Sequence, residues 1–122
     1  MAKRKIQSLS VRRKRFRSKT YIFTRKLYRF LRHHPEQIFF EKLPGNVYGY
    51  YEPDTHDIIL DYRRDLVSTL IHEFLHHLNR NWCETRIERT EKKMINTMSR
   101  AQIRHIIKVL GEIFSPNQYC RD

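Results

Sequence analysis

The stretch Ser68-Thr-Leu-Ile-His-Glu-Phe-Leu-His-His-Leu78 contains two histidines, His72 and His76, that are four residues apart. On a helix, residues four apart lie one turn above each other on the same face, so both imidazoles can reach one ion. Glu73 points about 100° round the helix from His72, where it can hold a water bound to that ion. The H-E-x-x-H spacing therefore predicts a zinc site with two histidine ligands and a glutamate general base.

The residues around this motif favour an amphipathic helix whose apolar side is buried. His72 and His76 fall in a polar arc, and Glu73 lies at its boundary with the apolar arc. The alternative to a metal site is an amphipathic helix whose exposed His and Glu side chains bind no ligand. We favour the metal site, because the helix can bury its back in a core and present both histidines to a cleft. The apolar arc consists of Leu66, Val67, Leu70, Ile71, Phe74, Leu75 and Leu78.

A catalytic zinc usually takes three protein ligands, so one must come from outside this helix. The asparagines of 79–81 predict a helix end and a turn, and a second helix is expected from Trp82-Cys83-Glu84 to about Thr97. Its apolar face carries or borders three carboxylates, which are costly there unless they are paired or bound to a metal. Positions on a helical wheel do not decide which of these carboxylates is the third ligand. The candidates are Glu84, Glu88 and Glu91.

These segments resemble a family of metallopeptidases. The run from Thr69 to Leu78 fits the extended zincin consensus, and Trp82-Cys83-Glu84 looks like the W-S-E stretch of small H-E-x-x-H proteins of bacteria and phages, with cysteine in place of serine. Such proteins are similar to gluzincins reduced to a core, and more distantly to SprT-like and ImmA/IrrE-like domains. The resemblance covers roughly residues 47 to 98.

This resemblance implies specific roles for the site residues. His72, His76 and Glu84 would be the zinc ligands, and Glu73 would be the general base. It also implies that a strand flanks the cleft and that its free edge pairs with an extended peptide substrate.

The 122 residues are enough for one domain with a modest core. No apolar run approaches 18 residues, the length that a membrane-spanning helix needs. The two cysteines do not form a C-x-x-C pair. The first residues lack the apolar h-region of a secretory signal. We therefore expect a cytoplasmic protein without a membrane segment. The pattern predicts an α+β domain over residues 19–122 that follows a basic, flexible arm of residues 1–18.

The basic residues are concentrated near the N-terminus. The formal net charge is +12, and thirteen Lys or Arg residues lie between Lys3 and Arg32 with no acidic residue among them. Such a block is commonly a solvated arm, but it can also neutralise the phosphates of nucleic acid. The interleaved aromatic side chains could stack on bases. Nucleic acid is therefore a possible partner through this arm.

The remaining pattern predicts the order of the other elements. A helix is expected from Thr20 to about His33, where Pro35 stops it, and a capping box at Ser99 should open a C-terminal helix. Between them, three short strands are expected to form an antiparallel β-meander before the metal helix. These strands are Ile38–Phe40, Val47–Glu52 and Ile58–Leu60.

The function expected from sequence is zinc-dependent hydrolysis of peptide bonds in a peptide or protein substrate. A metal-activated water would attack the bond, with Glu73 as the base. Two alternatives differ in class. One is a DNA-associated, SprT-like protease that the basic arm anchors on nucleic acid. The other is a non-enzymatic, zinc-stabilised module that binds nucleic acid.

Overall fold

The computed structural model describes residues 18–114 of the chain. Within this range the protein is α+β, as the sequence pattern predicts, with four α-helices and one three-stranded sheet. None of these helices is long and apolar enough to cross a lipid bilayer. The helices are α1 (Ser18–His33), α2 (Leu66–Leu78), α3 (Glu84–Thr97) and α4 (Arg100–Ile113). The strands are β1 (Ile38–Glu41), β2 (Gly49–Glu52) and β3 (Asp57–Asp61), and the predicted basic arm lies almost wholly outside the described residues.

The predicted antiparallel meander is wrong. The sheet has the order β1-β3-β2, in which β1 runs parallel to β3 and β2 runs antiparallel to it. The reason is visible in the burial of β3, where the consecutive residues Ile58, Ile59 and Leu60 are all buried. A strand that is covered on both faces belongs in the centre of a sheet. The other two strands expose part of their side chains and form the edges.

The ends of the helices follow the predicted capping signals. Ser99 and Gln102 form both hydrogen bonds of the capping box that opens α4. The Asp65 side chain accepts a hydrogen bond from the Ser68 amide at the start of α2. Cys83 is the N-cap residue of α3, but its side chain makes no capping bond.

Helix α2 lies at the centre of the molecule. It contacts β2, β3 and the other three helices, and its apolar back is fully buried through Leu70, Ile71 and Leu75. Strand β2 approaches this helix very closely at Gly49, where an added Cβ would lie 2.6 Å from Thr69 Cγ2 and 2.7 Å from the Ile59 carbonyl oxygen. The glycine thus allows β2 to stand directly beside α2, as one wall of a cleft.

Hydrogen bonds to a buried carboxylate connect the loop after β1 to the end of β3. Asp61 is wholly buried, and it accepts hydrogen bonds from the Leu43 amide at 3.1 Å and from Arg63 Nε at 2.9 Å and Nη2 at 2.6 Å. Arg63 Nη2 also donates to the Leu43 carbonyl at 3.0 Å. The hydrogen bonds from Arg63, with smaller help from those of the backbone, hold the pKa of Asp61 well below its usual value although burial opposes this shift.

The lowered pKa of Asp61 predicts how the stability of the protein depends on acid. The unfolded chain binds more protons at this residue, so the contribution is present above the unfolded pKa of about 4 and is lost as the pH falls toward the folded pKa. Asp61→Asn should lower the thermal midpoint at pH 7 and reduce the acid dependence. Thermal unfolding of both proteins between pH 7 and pH 3 measures this. Parallel curves for the two proteins would contradict the assignment.

Candidate metal centre

Two histidines from α2 and one glutamate from α3 come together at the mouth of a cleft. His76 Nε2 lies 2.7 Å from Glu84 Oε1, and His72 Nε2 lies 3.1 Å from Glu84 Oε2. Each residue offers one ligand atom, and these three atoms lie within 4.8 Å of one another. The three residues that were predicted as ligands are therefore adjacent in space.

The donor set fits a zinc ion. Zinc bonds of about 2.0–2.1 Å in a tetrahedron place neighbouring ligand atoms about 3.3–3.4 Å apart. The two His–Glu separations of 2.7 and 3.1 Å are a few tenths of an ångström shorter, so the exposed Glu84 side chain needs only a small withdrawal to admit an ion. Two imidazole nitrogens and one carboxylate are also a common ligand set of catalytic zinc.

The exposure of the three residues leaves one side of the site open. The Glu84 side chain is 63% exposed, whereas those of His72 and His76 are 20% and 24% exposed. Helix α2 holds both histidines against the core, and Glu84 reaches them from the first residue of α3. Water or substrate could therefore reach the fourth coordination position from solvent.

Glu91 orients one of the histidines and does not belong to the ligand set. Its Oε1 lies 2.8 Å from His72 Nδ1, and its Oε2 accepts a hydrogen bond from Ser68 Oγ at 2.6 Å. A proton on Nδ1 that is shared with this carboxylate leaves the Nε2 lone pair of His72 directed at Glu84. Carboxylates in this position fix the tautomer and raise the basicity of a metal-binding histidine.

The third carboxylate that the sequence left open, Glu88, is exposed and makes no hydrogen bond or ion pair within residues 18–114. Glu84, Glu88 and Glu91 therefore have three different environments. Sequence spacing had placed them together on or beside the apolar face of α3.

Glu73 is the most deeply buried carboxylate at the site, with 8% of its surface exposed. Burial raises its pKa to about 7, and the neighbouring charges of Glu84 and Glu91 add to this shift although His72 opposes it. Burial alone would lower the pKa of His72, but its hydrogen bond to Glu91 and the surrounding carboxylates raise the pKa above its usual value. The cluster thus contains more acidic than basic groups, and a bound cation would offset the repulsion among the carboxylates.

The cleft beside the metal centre has a volume of about 530 Å³. Strand β2 forms its opposite wall through Gly49, Tyr50 and Tyr51, and Arg80 contributes a cation at its edge. The Arg80 guanidinium donates to the Pro53 carbonyl at 3.3 Å and to His56 Nδ1 at 3.2 Å.

A second group of polar side chains adjoins this wall and was not anticipated from sequence. The Tyr51 hydroxyl lies 2.7 Å from His56 Nδ1 and 3.2 Å from His77 Nδ1. His56 has a positive φ of 64°, which is unusual for a residue with a side chain, and follows the Pro53-Asp54-Thr55 turn. Burial, with the neighbouring charges of His56, Arg80 and His34, lowers the pKa of His77. Neither His56 nor His77 belongs to the His72, His76 and Glu84 set.

The environments of the three carboxylates predict a graded loss of zinc affinity. Glu84→Ala should cause the largest loss, because it removes a ligand. Glu91→Ala should weaken binding by about 10–100-fold, because it removes only the partner that orients His72. Glu88→Ala is the matched control on the same helix and should leave the affinity unchanged. Titration with a competing zinc chelator measures the zinc affinity of all three variants. A Glu84→Ala protein with unaltered affinity would contradict the ligand assignment.

Comparisons of the chain with models of protein families, with curated proteins and with solved structures find no match. The resemblance to small H-E-x-x-H proteins therefore rests on the sequence motif alone.

Proposed function

We propose that this protein is a zinc-dependent metallopeptidase that hydrolyses peptide bonds. The observation that carries this proposal is the buried carboxylate of Glu73 beside the His72, His76 and Glu84 set at an open cleft. A ligand set with one accessible side and an adjacent base is what metal-assisted hydrolysis requires.

His72, His76 and Glu84 would hold the ion, and the contact with Glu91 would keep His72 in the tautomer that leaves Nε2 free to bind. A zinc ion held there would supply a water that is acidic near neutral pH and would polarise the carbonyl of the scissile bond. Glu73 accepts the proton of the attacking water and delivers it to the leaving amine. Because this carboxylate lies largely out of solvent, bulk water competes little for its proton.

A peptide is the substrate that the cleft suits best. Strand β2 has a partner strand on one side only within the described sheet, and its residues Gly49, Tyr50 and Tyr51 line the cleft. An extended peptide can add to such an edge through backbone hydrogen bonds, which would lay a peptide bond across the metal centre. The Tyr50 side chain is 42% exposed and offers an apolar surface to a substrate side chain.

The cleft also limits which group stabilises the oxyanion of the reaction. Apart from the ligands and Glu73, the polar side chains that line it are Tyr50, Tyr51 and Arg80. A hydroxyl or guanidinium donor from these three would complete the catalytic machinery. Arg80 brings a full positive charge and is already oriented by the Pro53 carbonyl and His56.

A purely structural zinc site is less compatible with this geometry. Structural zinc is generally enclosed by four protein ligands. Within residues 18–114 the ligand cluster contains three residues, and the glutamate among them is largely exposed. The open side favours an enzyme over a zinc-stabilised binding module.

Incubation of the zinc-loaded full chain with a denatured general protein substrate tests the proposal. We expect peptide fragments whose formation stops when a chelator removes the metal and resumes when zinc is restored. Fragment termini read by mass spectrometry should show hydrolysis at internal peptide bonds. No cleavage by protein that is shown to contain zinc, or cleavage that the chelator leaves unchanged, would refute the proposal.

A further inference from the structure

A second and larger depression lies between α1 and α4. Its volume is about 930 Å³, and it shares no lining residue with the cleft at the metal centre. We call it the α1/α4 groove. Residues of α1 form one wall, and His105, Val109, Glu112 and Ile113 of α4 form the other.

The lining of the α1/α4 groove carries a net positive charge. Arg25, Arg29 and Arg32 follow one another along α1 at helical spacing, and all three are exposed and line the groove. None of them forms an ion pair with a carboxylate of residues 18–114. Two acidic residues, Glu36 and Glu112, also line it, so the three arginines leave an excess of positive charge.

The three arginines form a row along one side of α1. From Arg25 to Arg32 a helix rises by about 10 Å. A row of this length can contact more than one phosphate of a nucleic-acid strand. The planar guanidinium groups can bind phosphate oxygens in pairs.

The groove also offers aromatic surface. The rings of Tyr28 and His105 both line it and meet edge to face, with their centroids 5.1 Å apart. At the preceding turn of α1, the Arg25 guanidinium lies 5.8 Å from the centre of the exposed Tyr21 ring. Nucleic-acid bases stack on such rings whatever their sequence. A carboxylate polymer such as an acidic peptide would use only the arginines.

We propose that the α1/α4 groove binds the phosphate backbone of single-stranded nucleic acid without sequence preference. The basic character of the sequence is continuous up to this wall, since the thirteen Lys and Arg residues from Lys3 to Arg32 include the three arginines of α1. The proposal does not depend on the metal centre, because a strand in the groove touches none of the zinc ligands or Glu73.

Binding of a fluorescent dT20 oligonucleotide to the full-length protein, followed by anisotropy over a range of salt, tests the groove. The triple variant R25Q/R29Q/R32Q should bind more weakly, and its log–log salt slope should be smaller by about 2, since each lost contact removes about 0.7 on a single strand. The control R89Q/K92Q/K93Q removes the same charge from exposed positions of α3 and keeps the N-terminal segment intact. It should retain most of the affinity and the slope. Equal losses in the two triple variants would overturn the groove assignment.

Two measurements on the unaltered protein complete the test. Addition of dT20 should shift the NMR signals of the His33 and His105 rings, which line the groove, and leave that of His56 in place. Poly-L-glutamate of equal total charge should compete poorly with dT20, because it offers no base to stack. Unchanged His33 and His105 signals at saturation would overturn the site. Equal competition by poly-L-glutamate would overturn nucleic acid as its ligand.

Discussion

Replacing Glu73 by glutamine should lower the rate of peptide hydrolysis by about 10²–10⁴-fold, the usual contribution of a general base. Glutamine has nearly the same shape but cannot accept the proton of the attacking water. The zinc content should stay near that of the unaltered protein, because Glu73 does not belong to the His72, His76 and Glu84 cluster. Fragment release from a general protein substrate and zinc analysis of the same sample measure both quantities.

Glu88→Gln is the matched control for this experiment. It makes the same chemical change on an exposed residue of α3 that has no polar partner in the described part of the chain. This variant should keep both zinc and activity. A Glu73→Gln protein that hydrolyses its substrate as fast as the Glu88→Gln protein would exclude Glu73 as the base.

Replacing His72 or His76 by alanine should reduce the zinc content from about one ion per chain to nearly none. Each substitution removes one of the two nitrogen ligands, and the remaining histidine and glutamate are too few to retain the ion. Zinc should also raise the thermal midpoint of the unaltered protein, because an ion that binds only the folded state stabilises it. Metal analysis after gel filtration and thermal unfolding with and without zinc measure the two effects.

His77→Ala supplies the control on the same helix. Its ring packs against Phe30 and contacts Tyr51, so the substitution can lower stability, but it removes no ligand. The zinc content of this variant should stay near one per chain. Full zinc occupancy in the His72→Ala and His76→Ala proteins would show that the ion is bound elsewhere.

The helices of this fold could be predicted because their signals are local. The apolar arc of α2, the capping box at Ser99 and the proline after α1 each act within a few residues of the helix they define. The order of the strands depends on contacts between distant segments, and the meander prediction failed there. The run Ile58-Ile59-Leu60 did contain the needed signal, since a strand buried on both faces is central.

The candidate site was predictable in part for the same reason. The spacing of His72 and His76 lies within one helix, so their proximity follows from the sequence. The choice among Glu84, Glu88 and Glu91 depends on how α3 lies against α2, which the helical wheel does not contain. The resemblance to small H-E-x-x-H proteins singled out Glu84, and Glu84 is the carboxylate that lies beside both histidines.

The contacts that support the site were missed because they join distant residues. Ser68 and Glu91 are 23 positions apart in sequence but form a hydrogen bond, and Glu91 orients His72. No local sequence pattern marks such a pair. The link of Asp61 and Arg63 to Leu43 is also a contact between the end of β3 and a preceding loop. In both cases a polar side chain is satisfied only after the fold has formed.

Anomalous diffraction at the zinc absorption edge, from crystals of the zinc-loaded protein, tests the metal centre most directly. We expect one anomalous peak per chain, about 2.0–2.2 Å from His72 Nε2, His76 Nε2 and a Glu84 carboxylate oxygen, with a further coordination position open to the cleft. A peak at other residues, or a fourth protein side chain that closes this position, would contradict the proposed catalytic metal centre.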